Sequence, residues 1–377
     1  MIPGFSSQNL STVLIAYGLI SSEYGLAVTA VAMEISSAFF EFLSPMIFKI
    51  GNDATSLVIE PAFSVLNEES FRRAVSLVVT GGLIGVVISL PIIFIAERIY
   101  PVVYTSLKPL IGWILLLVCA YMVWIERGWR KKFFATAVFL LAGLLGLLVR
   151  DSGLVPSDYY LVPIFIGLYG FSSIISERRE RDGLVQDITW RDRARYVGIA
   201  FVASVFASFI SGMKRGQISA IAMQTGGISR SEEVLFLLPM ISLAFITLSI
   251  FVLGSTGSVR STLAFDIQEI LGGTNTFFSE ILLFAAAVAV SASISAAALT
   301  FFARPLGSVL SKINMKYLKI FGFSLGLLMI FIFTGIPGML LGFTAAAIGL
   351  LSKRLGTRST HLMGVLLLPS ILSMILR

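Results

Sequence analysis

The chain has 377 residues, 56% of them hydrophobic and only 13% charged, with a net charge of +7. A soluble domain of this length would carry about 25% charge, so too few polar side chains exist to cover a water-facing surface, and lipid is the expected solvent. The positive balance fits Lys and Arg anchoring loops beside anionic headgroups and says little about nucleic acid.

In chain order, residues 1–20 read as a helix entered from a Pro-Gly turn, with no basic leader of a cleavable signal peptide. Continuous apolar runs follow at about 25–48, 74–96, 101–125, 133–149, 159–175, 196–212, 232–255, 275–303, 318–334, 338–352 and 361–376. A transmembrane helix needs ~20 apolar residues, and several of these runs are shorter. Barrel strands would alternate over about ten residues, and these runs do not. The predicted class is therefore all-α, a polytopic integral membrane protein with about 10–12 hydrophobic helical segments. Residues 60–73 alternate apolar and charged side chains, which predicts an interfacial helix capped by Glu60. Pro45, Pro109 and Pro369 read as kinks; Gly322, Gly326, Gly342 and the small-residue run 285–299 read as close helix packing.

Basic loops near 126–132, 177–195, 304–319 and 353–358 are expected on the cytoplasmic side of the cell membrane. Three full crossings between the second and third loops would break that rule. A re-entrant hairpin over 196–224, broken near Gly212, restores it.

Two echoes cross the chain. Ile2-Pro3-Gly4-Phe5-Ser6-Ser7-Gln8-Asn9 is answered by Ile210-Ser211-Gly212-Met213-Lys214-Arg215-Gly216-Gln217 at an offset of 208, and Ile35-Ser36-Ser37-Ala38-Phe39 by Ile241-Ser242-Leu243-Ala244-Phe245 at 206. With the loop parity, they predict two inverted-topology repeats: 1–176, a charged linker 177–195, and 196–377. Inverted repeats with broken helices are an architecture of secondary transporters.

At these residues the sequence resembles the large membrane subunit of tripartite tricarboxylate transporters (TctA-like), in its shorter archaeal-type branch. Besides Ile2-Pro3-Gly4, the likeness is carried by Phe39–Pro61 and Ala345–Leu372. The resemblance implies a transporter whose paired broken helices cradle a carboxylated substrate, assisted by a small membrane subunit and an extracytoplasmic binding protein. It leads one to expect a helix ahead of the first motif and a proline in the second, where Ile210-Ser211-Gly212 stands instead, with Lys214 and Arg215 in the turn.

The substrate-site candidates are Pro3, Gly4, Ser6, Ser7 and Asn9 in the first motif, and Ser211, Gly212, Lys214, Arg215, Gln217 and Ser219 in the second. Half-helix N-termini offer N–H groups to an anion, and Arg offers a fork to a carboxylate. The plainer readings are small-residue packing, ordinary helix caps and interfacial anchors. Glu34 and Glu41, seven apart on one helix face, and Asp53 in a polar turn are candidates for coupling to H+ or Na+. Their plainer readings are interhelical hydrogen bonds and caps. His361 reads as an interfacial polar residue. With one His and one Cys, Cys119, neither a metal site nor a disulfide is expected, and no cofactor either.

The predicted function is secondary-active transport of a small organic anion by alternating access, with lipid and the anion as partners and no nucleic acid. The rival readings are a membrane-embedded enzyme or lipid-handling protein, for which Asp151, Asp158 and His361 are the acid–base residues at hand, and a passive channel. No P-loop and no hydrolase motif appears.

Overall fold

A computed structural model describes residues 23–64, 68–176, 188–210, 212–257, 259–271 and 281–375. The first-motif candidates Pro3, Gly4, Ser6, Ser7 and Asn9, together with Ser211, lie outside the described residues.

Among the described residues the elements are helices. They are α1 (Glu23–Phe40), the single turn α2 (Leu43–Ile47), α3 (Glu68–Ser89), α4 (Ile93–Leu107), α5 (Ile111–Trp124) and α6 (Trp129–Ser152). There follow α7 (Leu161–Ile175, with a π-helical centre), α8 (Trp190–Ser208), α9 (Arg215–Gly226), α10 (Ser231–Thr256), α11 (Thr262–Ile270), α12 (Ile281–Leu310), α13 (Met315–Arg354) and α14 (Gly364–Ile375). Among the described residues six helical stretches are long and apolar enough to cross a bilayer, and a bent pair makes a seventh. In that pair α4 and α5 meet at 77° beside Pro109, so 101–125 is not one straight span. The runs 318–334 and 338–352 are joined as α13, interrupted at Gly335, whose φ is +64°.

α10 lies at the centre, with its apolar stretch buried throughout. It is apolar on every side, the pattern of a helix surrounded by protein. Its start is held by Glu233, whose carboxylate accepts the backbone N–H groups of Ser229 and Arg230 and the Tyr196 hydroxyl at 2.7 Å. α3 packs on it through Gly81 and Gly85: a Cβ at either would come within 2.1 or 2.3 Å of the carbonyls of Phe236 and Met240. Lipid tails are as apolar as Leu, so such small-residue contact, not water exclusion, is what joins helices here. The outer faces carry Trp113, Leu117, Phe133, Leu148, Phe301 and Leu340, each more than half exposed, as a lipid-facing belt requires.

Packing across the chain is reciprocal. α10 packs on α3 while α12 packs on α1, where Ser295 donates to Ser36. α14 packs on α6 while α13 packs on α7. In the second pair, Gly364 and Gly146 take the close positions at Phe139 and Val365; in its counterpart, Gly349 and Gly167 do so at Leu168 and Gly342.

The predicted interfacial helix over 60–73 is not one element. Pro61–Ser64 is a 3-10 turn, and α3 already begins at Glu68, with Arg73 paired to Glu69 one turn earlier at 2.7 Å. Glu60 does not cap it; the carboxylate accepts from Ser359 and pairs with Lys353 at 3.3 Å.

Candidate functional site

The centre of the site is a turn between two helices. α8 ends at Ser208; Gly212 takes φ +78°, a left-handed conformation that costs other residues roughly 1 kcal/mol or more; and α9 starts at Arg215. The Gln217 side chain accepts the Lys214 backbone N–H at 2.7 Å, satisfying one donor that a helix start leaves without a partner. α9 then runs back along α8, since Arg195 near the start of α8 donates to the carbonyl of Gly226 at 2.8 Å. Twelve residues rise about 18 Å, so Arg215 stands roughly half a hydrocarbon thickness from the other end of α9.

Arg215 does not stand alone. Its Nη1 meets Glu41 Oε1 at 2.5 Å, its Nη2 donates to Glu41 Oε2 at 3.3 Å, and Nη2 lies 3.9 Å from Glu34 Oε1. The two glutamates share a face of the first span, as their spacing of seven demands, and Glu41 sits where α1 breaks before α2. The side chains of Arg215, Glu34 and Glu41 are 17%, 17% and 9% exposed.

The third side of the cluster is the loop 51–55. Asn52 Nδ2 donates to Glu41 Oε2 at 3.1 Å. Asn52 Oδ1 accepts from the N–H of Ala54 and Thr55, both at 3.0 Å, and from the Thr55 hydroxyl at 2.9 Å. The capping oxygen is thus that of Asn52, and one side chain both closes the loop and steadies Glu41. The loop presses against α9 at Gly216, where a Cβ would fall 1.8 Å from the carbonyl oxygen of Asp53.

Glu34, Glu41, Asp53, Gly212, Lys214, Arg215 and Gln217 are therefore brought to one hairpin turn and the elements against it. Lys214 and Gly212 are exposed. Gln217 donates to Ser370 of α14 at 3.0 Å, and the Ser219 hydroxyl is buried without a hydrogen-bond partner among the described residues. Asn52, Gly216 and Ser370 complete the surroundings; only the polar character of the loop and turn pointed to the first two, and nothing to Ser370.

At the far end of α9 a second polar cluster forms. Gln224 donates to Glu126 Oε1 at 3.0 Å and accepts from Thr360 at 2.8 Å. His361 Nε2 lies 3.1 Å from the same Glu126 oxygen, and Arg358 Nε 3.6 Å from it. His361 is fully buried, because the 3-10 turn Ser359–Met363 tucks it under the α5–α6 loop. The His361 hydrogen bond, helped by Gln224 and Arg358 and opposed by burial, holds the Glu126 carboxyl down at about 2.

A third cluster joins Glu60, Lys353 and Ser359 to α7: Lys353 Nζ bonds the Ser173 hydroxyl at 2.6 Å, and the Tyr169 hydroxyl donates to the Ser359 carbonyl at 3.1 Å. Among the described residues no three His, Cys, Asp or Glu side chains are arranged to hold a metal ion.

Comparison with known proteins agrees with the resemblance read from the motifs. The Tripartite tricarboxylate transporter TctA family matches residues 1–364. An uncharacterized protein of Methanocaldococcus jannaschii is 24% identical over 370 residues, spanning 91% of this chain and 87% of its own. No solved structure matches. A family match over nearly the whole length, on a helical chain with six or seven spans, decides between carrier and catalyst: the chain belongs to the Tripartite tricarboxylate transporter TctA family and is a multi-pass membrane transporter, not an enzyme.

Proposed function

We propose that the protein is a proton-coupled secondary transporter of a small organic carboxylate, with Arg215 as the residue that Glu41 and the substrate share in turn. The observation that carries this reading is the two-pronged contact of Arg215 with Glu41 at the hairpin turn. Arg remains charged at any working pH, so the cluster is switched through its carboxylates. Protonating Glu41 replaces a full charge with a neutral acid and weakens both hydrogen bonds to Arg215. The freed guanidinium then takes a substrate carboxylate in the same forked geometry. Loss of the proton restores the Glu41 pair and expels the substrate, so proton and carboxylate travel together. A proton needs only one carboxylate, whereas Na+ would need several converging oxygens.

In this reading the N–H groups at the start of α9, Lys214 and Gln217 face the substrate, and Asp53 and Glu34 set the local field. The two halves, 1–176 and 196–377, act as inverted copies rocking against each other, supported by the reciprocal packing of α3 on α10 and of α12 on α1. The basic loops face the cytoplasm of the plasma membrane, and a small membrane subunit and an extracytoplasmic binding protein deliver the substrate.

The test is uptake of labelled citrate and succinate by proteoliposomes under an imposed pH gradient. Saturable accumulation driven by an inward proton gradient is expected. Uptake that follows a Na+ gradient at constant pH would overturn the choice of ion, and flux that never saturates would overturn the carrier.

A further inference from the structure

Most buried charged groups in the molecule have their partners. Lys49, for example, donates to the carbonyls of Met46 and Ala62 at 2.9 and 2.8 Å. Arg260 is different. It is 3% exposed, and neither Nε nor either Nη has a hydrogen-bond partner among the described residues.

The guanidinium lies over the Tyr104 ring, 4.2 Å from its centroid. One turn earlier on α4, the Tyr100 hydroxyl is hydrogen-bonded to Ser208 at the end of α8, and its ring stacks on Phe209 at 4.5 Å. Arg260 therefore sits on the α8 side of the hairpin turn, and Arg215 leaves that turn on the α9 side.

A desolvated cation gains less from lying over an aromatic ring than it loses on leaving water. Arg cannot escape by losing its proton. The imbalance is removed by an anion bearing two acceptor oxygens. The sequence adds an independent pointer. Gly257-Ser258-Val259-Arg260-Ser261-Thr262-Leu263 lies 206 positions after Gly51-Asn52-Asp53-Ala54-Thr55-Ser56-Leu57, the same offset as the Ile35 and Ile241 echo. Glycine, two hydroxyl residues and leucine recur in register. The first copy is the loop whose Asn52 and Asp53 adjoin the Arg215 pair; the second presents a cation with no acid bonded to it among the described residues.

We propose that Arg260, buried over the ring of Tyr104, is a second binding site for a small carboxylate, on the other side of the hairpin turn from Arg215. The site holds the anion by the guanidinium fork, and the face of Tyr104 excludes water from the pair.

The test is citrate binding to the purified protein by calorimetry, with the citrate-dependent rise in melting temperature as second readout and chloride at equal ionic strength as control. Two citrate sites are expected in the wild type and one in Arg260→Met, which should fold at least as well in the absence of citrate because it removes an unpaired buried charge. Arg260→Lys keeps the charge without the fork and should weaken that site tenfold or more. Unchanged stoichiometry and Kd in both variants would overturn the proposal, as would a wild-type response that chloride reproduces. Because binding is read directly, a failed proton-coupling test leaves this outcome independent.

Discussion

Arg215 and Glu41 stand 174 residues apart in the chain and meet with their charged ends 2.5 Å apart, tying the start of α9 to the break between α1 and α2. The residue expected to hold the substrate and one expected to carry the coupling ion are thus a single pair. A buried pair of this kind contributes little net stability while intact, but breaking it from one side leaves an uncompensated charge and costs about 3–5 kcal/mol.

Glu41→Gln mimics the protonated state permanently. We expect carboxylate exchange across proteoliposome membranes to continue within a few-fold of the wild type while accumulation driven by a pH gradient disappears. Arg215→Gln should abolish both, since it removes the shared cation, and Arg215→Lys should retain a small fraction. Gradient-driven accumulation at the wild-type level in Glu41→Gln would remove Glu41 from the coupling step.

Gly216→Ala places a Cβ 1.8 Å from the Asp53 carbonyl, and the obstacle is backbone, which cannot rotate away. Overpacking of this sort costs about 1–3 kcal/mol, so the variant should melt several degrees lower and transport several-fold more slowly. Gly198→Ala on α8 meets nothing within 4 Å and should be neutral or slightly stabilising. Thermal melting of both in one detergent separates the close contact from the general cost of losing a glycine.

The depressed Glu126 carboxyl predicts an acid-sensitive loop. An unfolded Glu titrates near about 4.3, whereas in the fold Glu126 titrates at about 2. The unfolded chain therefore takes up the proton first on acidification. The stabilising contribution is fully present above about pH 5 and shrinks as pH falls toward 2. Melting curves between pH 7 and 3 should show this loss in the wild type and a smaller pH slope in Glu126→Gln. Equal slopes would mean that Glu126 is not the group responsible.

Gly85→Leu should separate α3 from α10, because the Met240 carbonyl occupies the space beside it. Loss of the folded, monodisperse peak in size-exclusion chromatography is expected. Val87→Leu on the exposed face of the same helix should leave that peak unchanged.

The expectations that rested on local pattern were the easiest to read. Continuous apolar runs require helices because no water is present to satisfy an open backbone, and a spacing of seven puts Glu34 and Glu41 on one face. The Ile-Ser-Gly break followed by Lys214 and Arg215 marked a place where a helix could stop. What went astray also went astray for local reasons. Glu60 looked like a cap because the next helix seemed to start beside it, and nothing local showed that His361 would be buried against Glu126.

By itself, the sequence determined that the chain must be helical, that it must live in lipid, and which residues were too polar to lie there without purpose. Composition and periodicity act residue by residue, so they suffice for that. Only the tertiary structure decided that Arg215 bonds Glu41 rather than remaining open, that Glu60 reaches Lys353, and that Arg260 is buried over Tyr104 with no hydrogen-bond partner among the described residues. The physical reason is that pairing in a low-dielectric interior depends on distances of a few ångströms between residues far apart in the chain. Those distances exist only once the helices have packed.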